Sequence, residues 1–517
     1  MSILNSEMML GGGVGGVGST IDQSLRFNDN DSTYLSRTPS VVGNRKTWTW
    51  SGWAKRGNIS SEMSIFAANA DTNNRGRLLI KSSDSIQYLG YNGAVTTNIE
   101  SNQVFRDASA WYHILMVVDT TQSTASDRFK LYVNGDLITS LATATYPALN
   151  ADLEINNTSV HAIGSNAITA GTNPFDGYLS EVNFIDGQAL TPASFGKIDT
   201  TYGNWKPIQY AGTYGTNGFY LKFADGGALG TDSSGNGNTW APANLVATDQ
   251  VLDSPTNNFA TLNPLLKSAI GSTFSEGNLQ FTPVASGQTN SLSTIGVSSG
   301  VWYFEVYTKS RPNAFLVGVV GEDSVDSNFG ATPNSFGYYS NTGQKYSNGS
   351  LSAYGSSFTT GDIIGCLLDL DAGTLTFYKN GASQGTAFTG LSGTYFLGAG
   401  DASPSGASTW VANFGQDSSF AANKTPQGNT DANGIGDFYY APPVGYLALC
   451  TQNLPDPTVI PSQHFNTVLY TGDDGTQAIT GVGFQSDFTW IKCRSHGGNT
   501  SFEHVVTDAV RGVNRTL

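Results

Sequence analysis

Few residues in this chain have the types and spacing that catalysis by paired carboxyl groups needs. A retaining glycosidase places two carboxyl groups about 5 Å apart and raises the pKa of one of them. One known arrangement supplies such a pair from alternate inward positions of one strand and reads Glu-x-Asp-x-x-Glu, and this chain contains no such string. The nearest acidic cluster, Glu322, Asp323 and Asp326, lies in a stretch rich in Ser and Asn, which predicts a solvated loop.

Nucleophilic and zinc-dependent hydrolysis are no better supported. His113 lies in an apolar, strand-like stretch, which predicts a packed histidine rather than a catalytic base. His496 and His504 have Glu503 between them but lack the His-Glu-x-x-His spacing of a zinc hydrolase. No Gly-x-Ser-x-Gly elbow lies between a predicted strand and a predicted helix. We therefore predict that the chain is not an enzyme.

Four residues with oxygen-bearing side chains are suited to metal binding. Asp225, Asp232, Asn236 and Asn238 supply hard oxygen donors on turn-rich backbone, and calcium prefers such donors. Asp and Asn are also the usual turn formers, so a loop without a metal is the competing interpretation. We expect no cofactor, with calcium at these four residues as the one candidate.

Four tyrosines are suited to binding a ligand. Tyr338, Tyr339, Tyr346 and Tyr354 stand among Ser, Asn and Gly in one region of the sequence. A tyrosine offers a flat apolar face and a hydroxyl at low cost in conformational entropy, which suits both sugars and peptides. The alternative is that Tyr338 and Tyr339 are ordinary strand neighbours, one facing inward and the other outward.

The elements that must position these residues are strands. The chain of 517 residues contains 61 Gly and only 13 % charged residues, and long runs of helix-forming residues are absent. Short apolar or aromatic runs recur between Gly, Asn, Asp and Ser. This pattern predicts an all-β protein with many tight turns, and the length predicts several domains.

Three pieces of the first half occur in a characteristic order. They are a strand with Trp50-Ser51-Gly52-Trp53, a strand and hairpin with Trp111-Tyr112-His113 and Tyr132-Val133-Asn134-Gly135, and a closing strand that begins Gly177-Tyr178-Leu179. Asn-Gly predicts a type I′ turn, and the alternating stretch around Trp50 predicts a strand with one buried face. The order resembles the laminin-G-like, or concanavalin-A-like, jelly-roll family. That resemblance implies a two-sheet sandwich and makes calcium at a sandwich rim a candidate.

The second half contains a longer ordered set of strand motifs. They begin at Val301-Trp302-Tyr303, Phe315-Leu316-Val317, Gly361-Asp362-Ile363, Thr374-Leu375-Thr376 and Val411-Ala412-Asn413. The fourth strand ends in another Asn-Gly hairpin at Asn380-Gly381. This set resembles a SPRY domain, which implies a second β-sandwich.

The predicted fold class is all-β, with two antiparallel β-sandwich (jelly-roll) domains in tandem and a partial C-terminal β segment. The predicted layout is a Gly-rich N-terminal anchor or tether at 1–19, a laminin-G-like jelly roll at 20–210, a connector at 211–272, a SPRY-like sandwich at 273–420, a linker at 421–460 and the truncated start of a further β domain at 461–517.

Charge, hydropathy and cysteine content exclude several classes of function. The formal net charge of −15 argues against a nucleic-acid partner, which needs clustered Lys or Arg. No stretch is apolar for the roughly 20 residues of a membrane span, so we predict no membrane insertion. Cys366, Cys450 and Cys493 lie far apart, which indicates neither a disulfide framework nor a zinc site, and we predict that the first two are small core residues. The N-terminus has no Lys or Arg before its apolar stretch, unlike a secretory signal.

The combined features resemble a bacteriophage virion protein, most closely a tail fibre or related appendage. This resemblance implies that the sandwich loops recognise the host surface through a glycan or protein receptor. It also implies a virion location, other tail or capsid proteins as partners, and a homo-oligomer, with a trimer favoured. One alternative is a capsid-decorating or purely structural virion protein. Another is a bacterial adhesin or lectin, against which the N-terminal sequence argues.

Overall fold

The computed structural model describes residues 4–5, 19–167, 171–266, 271–284, 289–401, 408–473, 475–493 and 503–511. These residues form β-strands and short 3-10 helices, which confirms the prediction of an all-β fold. The chain divides into two compact units, residues 1–198 with 205–456 and residues 199–204 with 457–517. The larger unit contains two β-sandwiches, each with its own hydrophobic core.

The first sandwich is built from two antiparallel sheets. One contains, in spatial order, Asp136–Leu137, Phe129–Val133, Tyr112–Asp119, Thr47–Arg56, Gly177–Asp186, Ser24–Phe27 and Gln250–Val251, with Phe219–Leu221 also paired to Gly177–Asp186. The other contains Leu141–Thr145, Val95–Val104, Ser85–Asn92, Asn74–Ile80, Met63–Asp71, Val160–Ile163, Tyr34–Arg37 and Ala241–Ala243. Large aromatic side chains, among them Trp48, Trp50, Phe66 and Tyr88, fill the space between the sheets and dominate the buried apolar area.

The second sandwich has the same two-layer construction. One sheet contains, in spatial order, Leu4–Asn5, Asn290–Val297, Tyr395–Asp401, Phe315–Gly321, Ser335–Tyr339, Lys345–Ser347 and Ser350–Ser352. The other contains Thr273–Ser275, Gln280–Thr282, Thr409–Asn413, Val301–Ser310, Ile363–Asp369, Thr374–Lys379 and Ala382–Thr389, with Leu447–Ala448 beside Val301–Ser310. Leu4–Asn5 and Leu447–Ala448 pair in parallel with their neighbours, and the other pairings in these two sheets are antiparallel.

The two Asn-Gly hairpins form as the sequence predicts. Asn134 and Gly135 have φ values of 50° and 86°, and Asn380 and Gly381 have φ values of 49° and 79°. Positive φ at both central residues is the requirement of a type I′ turn, which Asn and Gly meet with little strain.

The strand Thr47–Arg56 differs from its prediction, because both of its faces are buried rather than one. On the side away from the core, the Thr49 hydroxyl donates to the Gln188 carbonyl at 2.8 Å. On the same side the His113 ring packs against Trp53, with 5.0 Å between ring centroids. Later segments of the chain cover this face, and the local alternation of residue types contains no information about them.

Residues 211–272, predicted as a connector, largely belong to the first sandwich. They supply Phe219–Leu221, Ala241–Ala243 and Gln250–Val251, which complete both sheets, and Trp240 is 2 % exposed in the core. These strands have only two or three residues each, so the many turns between them dominate the composition and give it the character of a linker.

Of residues 421–460, predicted as a linker, residues 421–456 pack on the second sandwich. Phe438, Leu449 and Cys450 are fully buried, and Leu447–Ala448 pairs with Val301–Ser310. The prolines of this segment limit strand pairing, but the apolar residues between them bury against the sheet. The burial of Cys450 and of Cys366 confirms that both are core residues.

The remaining described elements are short. The 3-10 helices are Asp29–Asp31, Ala125–Asp127, Pro192–Ser194, Ala247–Asp249, Glu322–Ser324 and Pro461–Gln463. Two-stranded sheets pair Gly196–Ile198 with Trp205–Pro207 and, in the smaller unit, Phe488–Ile491 with Val505–Asp508. The predicted tether at 1–19 lies outside the described residues except for positions 4, 5 and 19.

The two sandwiches meet across buried charges. Arg26 of the first sandwich has a side chain that is 1 % exposed, and it pairs with Asp417 at 2.7 Å, Asp249 at 3.3 Å and Glu276 at 3.4 Å. A second buried cation, Lys55, pairs with Asp253 at 2.7 Å. Because a buried charge is costly unless it is paired, the contacts of Arg26 with Asp417 and Glu276 constrain how the sandwiches pack together.

Candidate functional site

Three loops of the second sandwich lie at the same end of its sheets. Residues 311–314 follow Val301–Ser310, residues 340–344 follow Ser335–Tyr339, and residues 353–362 precede Ile363–Asp369. We call these three loops together the loop surface. Binding sites are often found on loops that a rigid β scaffold positions, so this surface is the candidate functional site.

Hydrogen bonds join the three loops to one another. The Gly355 N–H donates to the Gly343 carbonyl at 2.8 Å, and the Phe358 N–H donates to the Ser340 carbonyl at 3.0 Å. The Arg311 N–H donates to the Thr360 hydroxyl at 3.0 Å. The loop surface is therefore an ordered structure whose conformation is set before any partner arrives.

Gly343 is required where two of these loops approach. Its φ is 72°, and a Cβ atom at this position would overlap the Gly355 carbonyl oxygen. A larger residue would suffer both an unfavourable backbone conformation and a clash. The glycine therefore permits the contact between residues 340–344 and 353–362.

Tyr338 and Tyr354, predicted to bind a ligand, anchor the loop surface from inside. Tyr338 is fully buried, and its hydroxyl donates to the Ser356 carbonyl. The Tyr354 hydroxyl donates to the Gly385 carbonyl at 2.5 Å and accepts the Phe377 N–H at 3.1 Å. The two rings pack edge to face, 5.3 Å apart. The prediction that Tyr338 offers its ring to a ligand therefore disagrees with the structure, because the ring lies in the core.

Tyr339 and Tyr346 are half-buried and lie at different places. Tyr339 directly precedes loop residues 340–344, and its N–H donates to the Gln344 carbonyl at 2.8 Å. Tyr346 packs against Gly330, where a Cβ atom would overlap its ring. The structure therefore does not gather the four predicted tyrosines around one ligand position.

The exposed residues of the loop surface are small and mostly polar, and the sequence prediction missed them. They include Pro312, Asn341, Thr342, Ser356 and Ser357. These residue types are abundant throughout the chain, so the sequence alone does not distinguish them. Only the strand pairing shows that they share one end of the sandwich.

The loop surface is locally basic although the chain is acidic. Asp362 is the one acidic residue of the three loops, and Lys379 pairs with it at 3.3 Å and donates to the Ser357 carbonyl at 2.8 Å. Lys309, which borders the loops, and Arg311 add two further positive charges, and the buried Asp401 beside Phe315 adds one negative charge. This excess of positive charge stands against a net charge of −15 for the whole chain.

The four predicted calcium ligands occupy neighbouring turns of the first sandwich. The Asp232 carboxylate accepts the N–H groups of Tyr220, Ser234 and Asn238 at 2.7 to 2.9 Å. Hydrogen bonds from the Asn236 and Asn238 amide nitrogens both reach the Gly218 carbonyl. The Asp225 carboxylate accepts the Gly227 N–H at 2.8 Å. Hydrogen bonds thus engage both carboxylate oxygens of Asp232 and one of Asp225.

Ser51 and His113 lie in hydrogen-bond contact in the first sandwich, with 2.8 Å between the Ser51 Oγ and the His113 Nε2. The Trp205 indole N–H, which can only donate, reaches the His113 Nδ1 at 3.1 Å. The His113 Nε2 therefore carries the proton and donates to Ser51, the reverse of what activation of a nucleophile requires. Burial lowers the pKa of His113 to about 3 and keeps the ring neutral.

The described residues contain no group of three or more His, Cys, Asp or Glu side chains placed to hold a metal ion. Within the same part of the chain, no helix has the length and apolar character needed to span a membrane.

Comparison with known families identifies three regions. The SPRY domain family matches residues 301–415, and the concanavalin A-like lectin/glucanases superfamily matches residues 28–195. A domain of unknown function matches residues 460–517. The chain therefore contains a concanavalin A-like domain followed by a SPRY domain, as the two sequence resemblances predicted.

The curated relatives share part of the chain. Ran-binding protein 9 from Danio rerio and from Homo sapiens are each 34 % identical over 140 residues, which is 26 % of this chain. The matched segment spans 23 % and 19 % of these two relatives, so the chain covers about a fifth of their length. These vertebrate relatives overturn the prediction of a bacteriophage virion protein, which was wrong. The expected virion partners and virion location depended on that identity.

Solved structures with similar parts include SPRY domains. The SPRY domain of human HERC1 is 28 % identical, with 29 % of this chain and 96 % of that chain covered and a TM-score of 0.27. A heptameric SAP-like pentraxin from Limulus polyphemus is 18 % identical, with 34 % and 80 % covered and a TM-score of 0.26.

Proposed function

We propose that this chain is a non-catalytic recognition protein whose SPRY domain binds a polypeptide partner at the loop surface. The observation that carries this proposal is the construction of that surface. Three loops are hydrogen-bonded to one another, two buried tyrosines anchor them, and small polar side chains face the solvent. A surface ordered in advance loses little conformational entropy when it binds.

The Ser51–His113 pair resembles a catalytic Ser–His pair but is not arranged for catalysis, which supports a binding role. Ser51 and His113 are both 1 % exposed, so a substrate does not reach them in this conformation. The proton of His113 also lies on the nitrogen that a catalytic base would need free. The pair therefore stabilises the first sandwich and does not activate a nucleophile.

The orientation of the tyrosine rings favours a polypeptide over a sugar. A sugar packs its apolar face on an exposed aromatic ring, but Tyr338 is buried and Tyr354 packs against it. A polypeptide instead offers backbone and side-chain groups that hydrogen-bond to exposed Asn, Thr and Ser side chains. Similarity to relatives named Ran-binding protein 9 agrees with a protein partner.

The local charge indicates the chemistry of the partner. Lys309 and Arg311 leave the loop surface positive once Lys379 is paired with Asp362. The positive potential of the loop surface would attract an acidic peptide, and the negative charge of the rest of the chain would repel it. We therefore expect affinity for acidic peptides that falls as the salt concentration rises.

A displayed library of random peptides tests the proposal. The whole chain is used for selection, and the enriched peptides are measured by titration against two exposed-serine variants. Ser357→Glu places a negative charge on the loop surface, whereas Ser392→Glu places one between Ala382–Thr389 and Tyr395–Asp401. We expect Ser357→Glu to weaken binding at least tenfold and Ser392→Glu to leave it within twofold. Equal effects of the two variants, or no enriched peptide, would refute the proposal.

A further inference from the structure

Asp176 is a buried carboxylate without a hydrogen-bond partner. It directly precedes Gly177–Asp186, its exposure is 0 %, and neither of its carboxylate oxygens accepts a hydrogen bond. A buried charge of this kind is costly unless a cation or a set of donors compensates it. The residue therefore indicates a missing interaction.

The backbone of Gly57 holds this carboxylate in place. The Gly57 N–H donates to the Asp176 carbonyl at 2.9 Å, and a Cβ atom at position 57 would overlap the Asp176 Oδ1. A glycine is thus needed where the carboxylate lies against the chain. The Asp176 side chain is enclosed rather than free to turn toward solvent.

Further oxygen atoms lie around Gly57 and Asp176. Asp29 lies close enough for its negative charge to raise the pKa of Asp176, and neither ionised carboxylate can donate a hydrogen bond to the other. Asn278, from the second sandwich, donates through its Nδ2 to the Gly57 carbonyl at 3.1 Å. The Asn278 Oδ1 is buried and accepts no hydrogen bond. Two carboxylates and an amide oxygen therefore lie around one glycine.

The positive charge nearby is already shared. Glu276 adds a third carboxylate, and its contact with Arg26 is 3.4 Å. Arg26 pairs more closely with Asp417, at 2.7 Å, and also with Asp249. Burial first, and then the charge of Asp29, hold the pKa of Asp176 well above its usual range. A positive charge placed among these oxygens would offset the free-energy cost of burying the ionised carboxylates.

We propose that Asp176 and Asp29, with the Asn278 amide oxygen, bind a divalent cation of the calcium class where the two sandwiches meet. Calcium takes six to eight oxygen ligands, and carboxylates, amide oxygens, backbone carbonyls and water all serve. The cation would join Asp29 and Asp176 of the first sandwich to Asn278 of the second. It would stabilise their packing and is distinct from the turn region around Asp232.

The test is thermal unfolding of the whole chain, first with EDTA and then with calcium chloride or magnesium chloride added. We expect calcium to raise the Tm by several degrees, because an ion that binds only the folded chain stabilises it. In Asp176→Asn this shift should disappear, and in the matched control Asp232→Asn it should remain. Equal Tm values of the wild type with EDTA and with saturating calcium would overturn the proposal, as would loss of the shift in Asp232→Asn alone.

A second variant keeps the proposal testable if Asp176→Asn fails to fold. Asp29 is half-buried and its Oδ2 accepts the Asn58 side chain at 2.6 Å, so Asp29→Asn retains most of its surroundings. Calorimetric titration of Asp29→Asn with calcium should show calcium binding at least tenfold weaker than in the wild type. Unchanged calcium affinity would overturn the proposed cation site. A shared proton between Asp29 and Asp176 would instead give a Tm that responds to pH but not to calcium, which also overturns it.

Discussion

Arg26 and Asp417 lie 391 positions apart in the sequence, and their side chains form a buried ion pair of 2.7 Å. Arg26 belongs to a strand of the concanavalin A-like domain, whereas Asp417 lies four residues after Thr409–Asn413, a strand of the second sandwich. The pair therefore joins the two sandwiches, which belong to one compact unit.

Replacement of Arg26 by Met is expected to destabilise the chain strongly. The variant leaves Asp417 and Glu276 largely buried without their cation, a loss that typically costs about 3–5 kcal/mol. Urea denaturation measures the free energy of unfolding. The control is Lys130→Met, which removes an exposed pair with Asp127 and should cost less than about 1 kcal/mol. Equal losses in the two variants would contradict the role of Arg26.

The Tyr354→Phe variant tests whether this tyrosine anchors the loop surface. Loss of its hydroxyl leaves the Phe377 N–H without its acceptor, which we expect to reduce the free energy of unfolding by about 1–3 kcal/mol. The half-buried Tyr346→Phe serves as the control and should change stability by less than about 0.5 kcal/mol. A variant Tyr354→Phe with unchanged stability but lost peptide binding would instead show a direct ligand contact.

Two buried histidines should make the fold sensitive to acid. Burial lowers the pKa of His113 to about 3 and that of His161 to about 4, from an ordinary value of 6.5. Between pH 4 and 6.5 the unfolded chain binds protons that the folded chain does not, so stability falls as the pH falls. His113→Gln should reduce this slope by up to about 1.4 kcal/mol per pH unit. Denaturation at several pH values checks this, and the exposed His464→Gln should show the wild-type slope.

Glu305 should make the free energy of unfolding depend on pH in the direction opposite to that of the two histidines. Burial raises its pKa to about 7 from 4.5, although the N–H groups of Tyr439 and Tyr440 donate to its carboxylate. Between pH 4.5 and 7 the folded chain holds a proton that the unfolded chain has lost, so this contribution to stability falls as the pH rises. Relative to the wild type, Glu305→Gln should gain up to about 1.4 kcal/mol per pH unit from pH 5 to 7. A difference that is constant with pH in urea denaturation would show that Glu305 does not titrate in this range.

The local parts of the fold could be predicted from the sequence. Asn134-Gly135 and Asn380-Gly381 meet the positive φ of a type I′ turn, and this requirement depends on the two residues alone. The order of the strand motifs around Trp50 and Trp302 likewise indicated two sandwiches through the resemblance to two β-sandwich families, although both faces of the Trp50 strand are buried.

The sites depend on long-range packing and were harder to predict. A shift of one residue in register exchanges the faces of a strand, so the sequence could not establish that Tyr338 faces the core. Asp176 and Asn278 belong to different sandwiches, and no local pattern connects them. The side chains of Asn341 and Ser357 resemble those of many other turns in the chain.

Amide hydrogen exchange of the whole chain, with and without an enriched acidic peptide, tests the proposed function most directly. We expect slower exchange on binding at residues 340–344 and 353–362, whose backbone groups border the exposed side chains. We expect no change at residues 370–373 and 390–394, which lie at the opposite end of the sheets. Protection confined to that opposite end, or to the first sandwich, would contradict recognition by the loop surface.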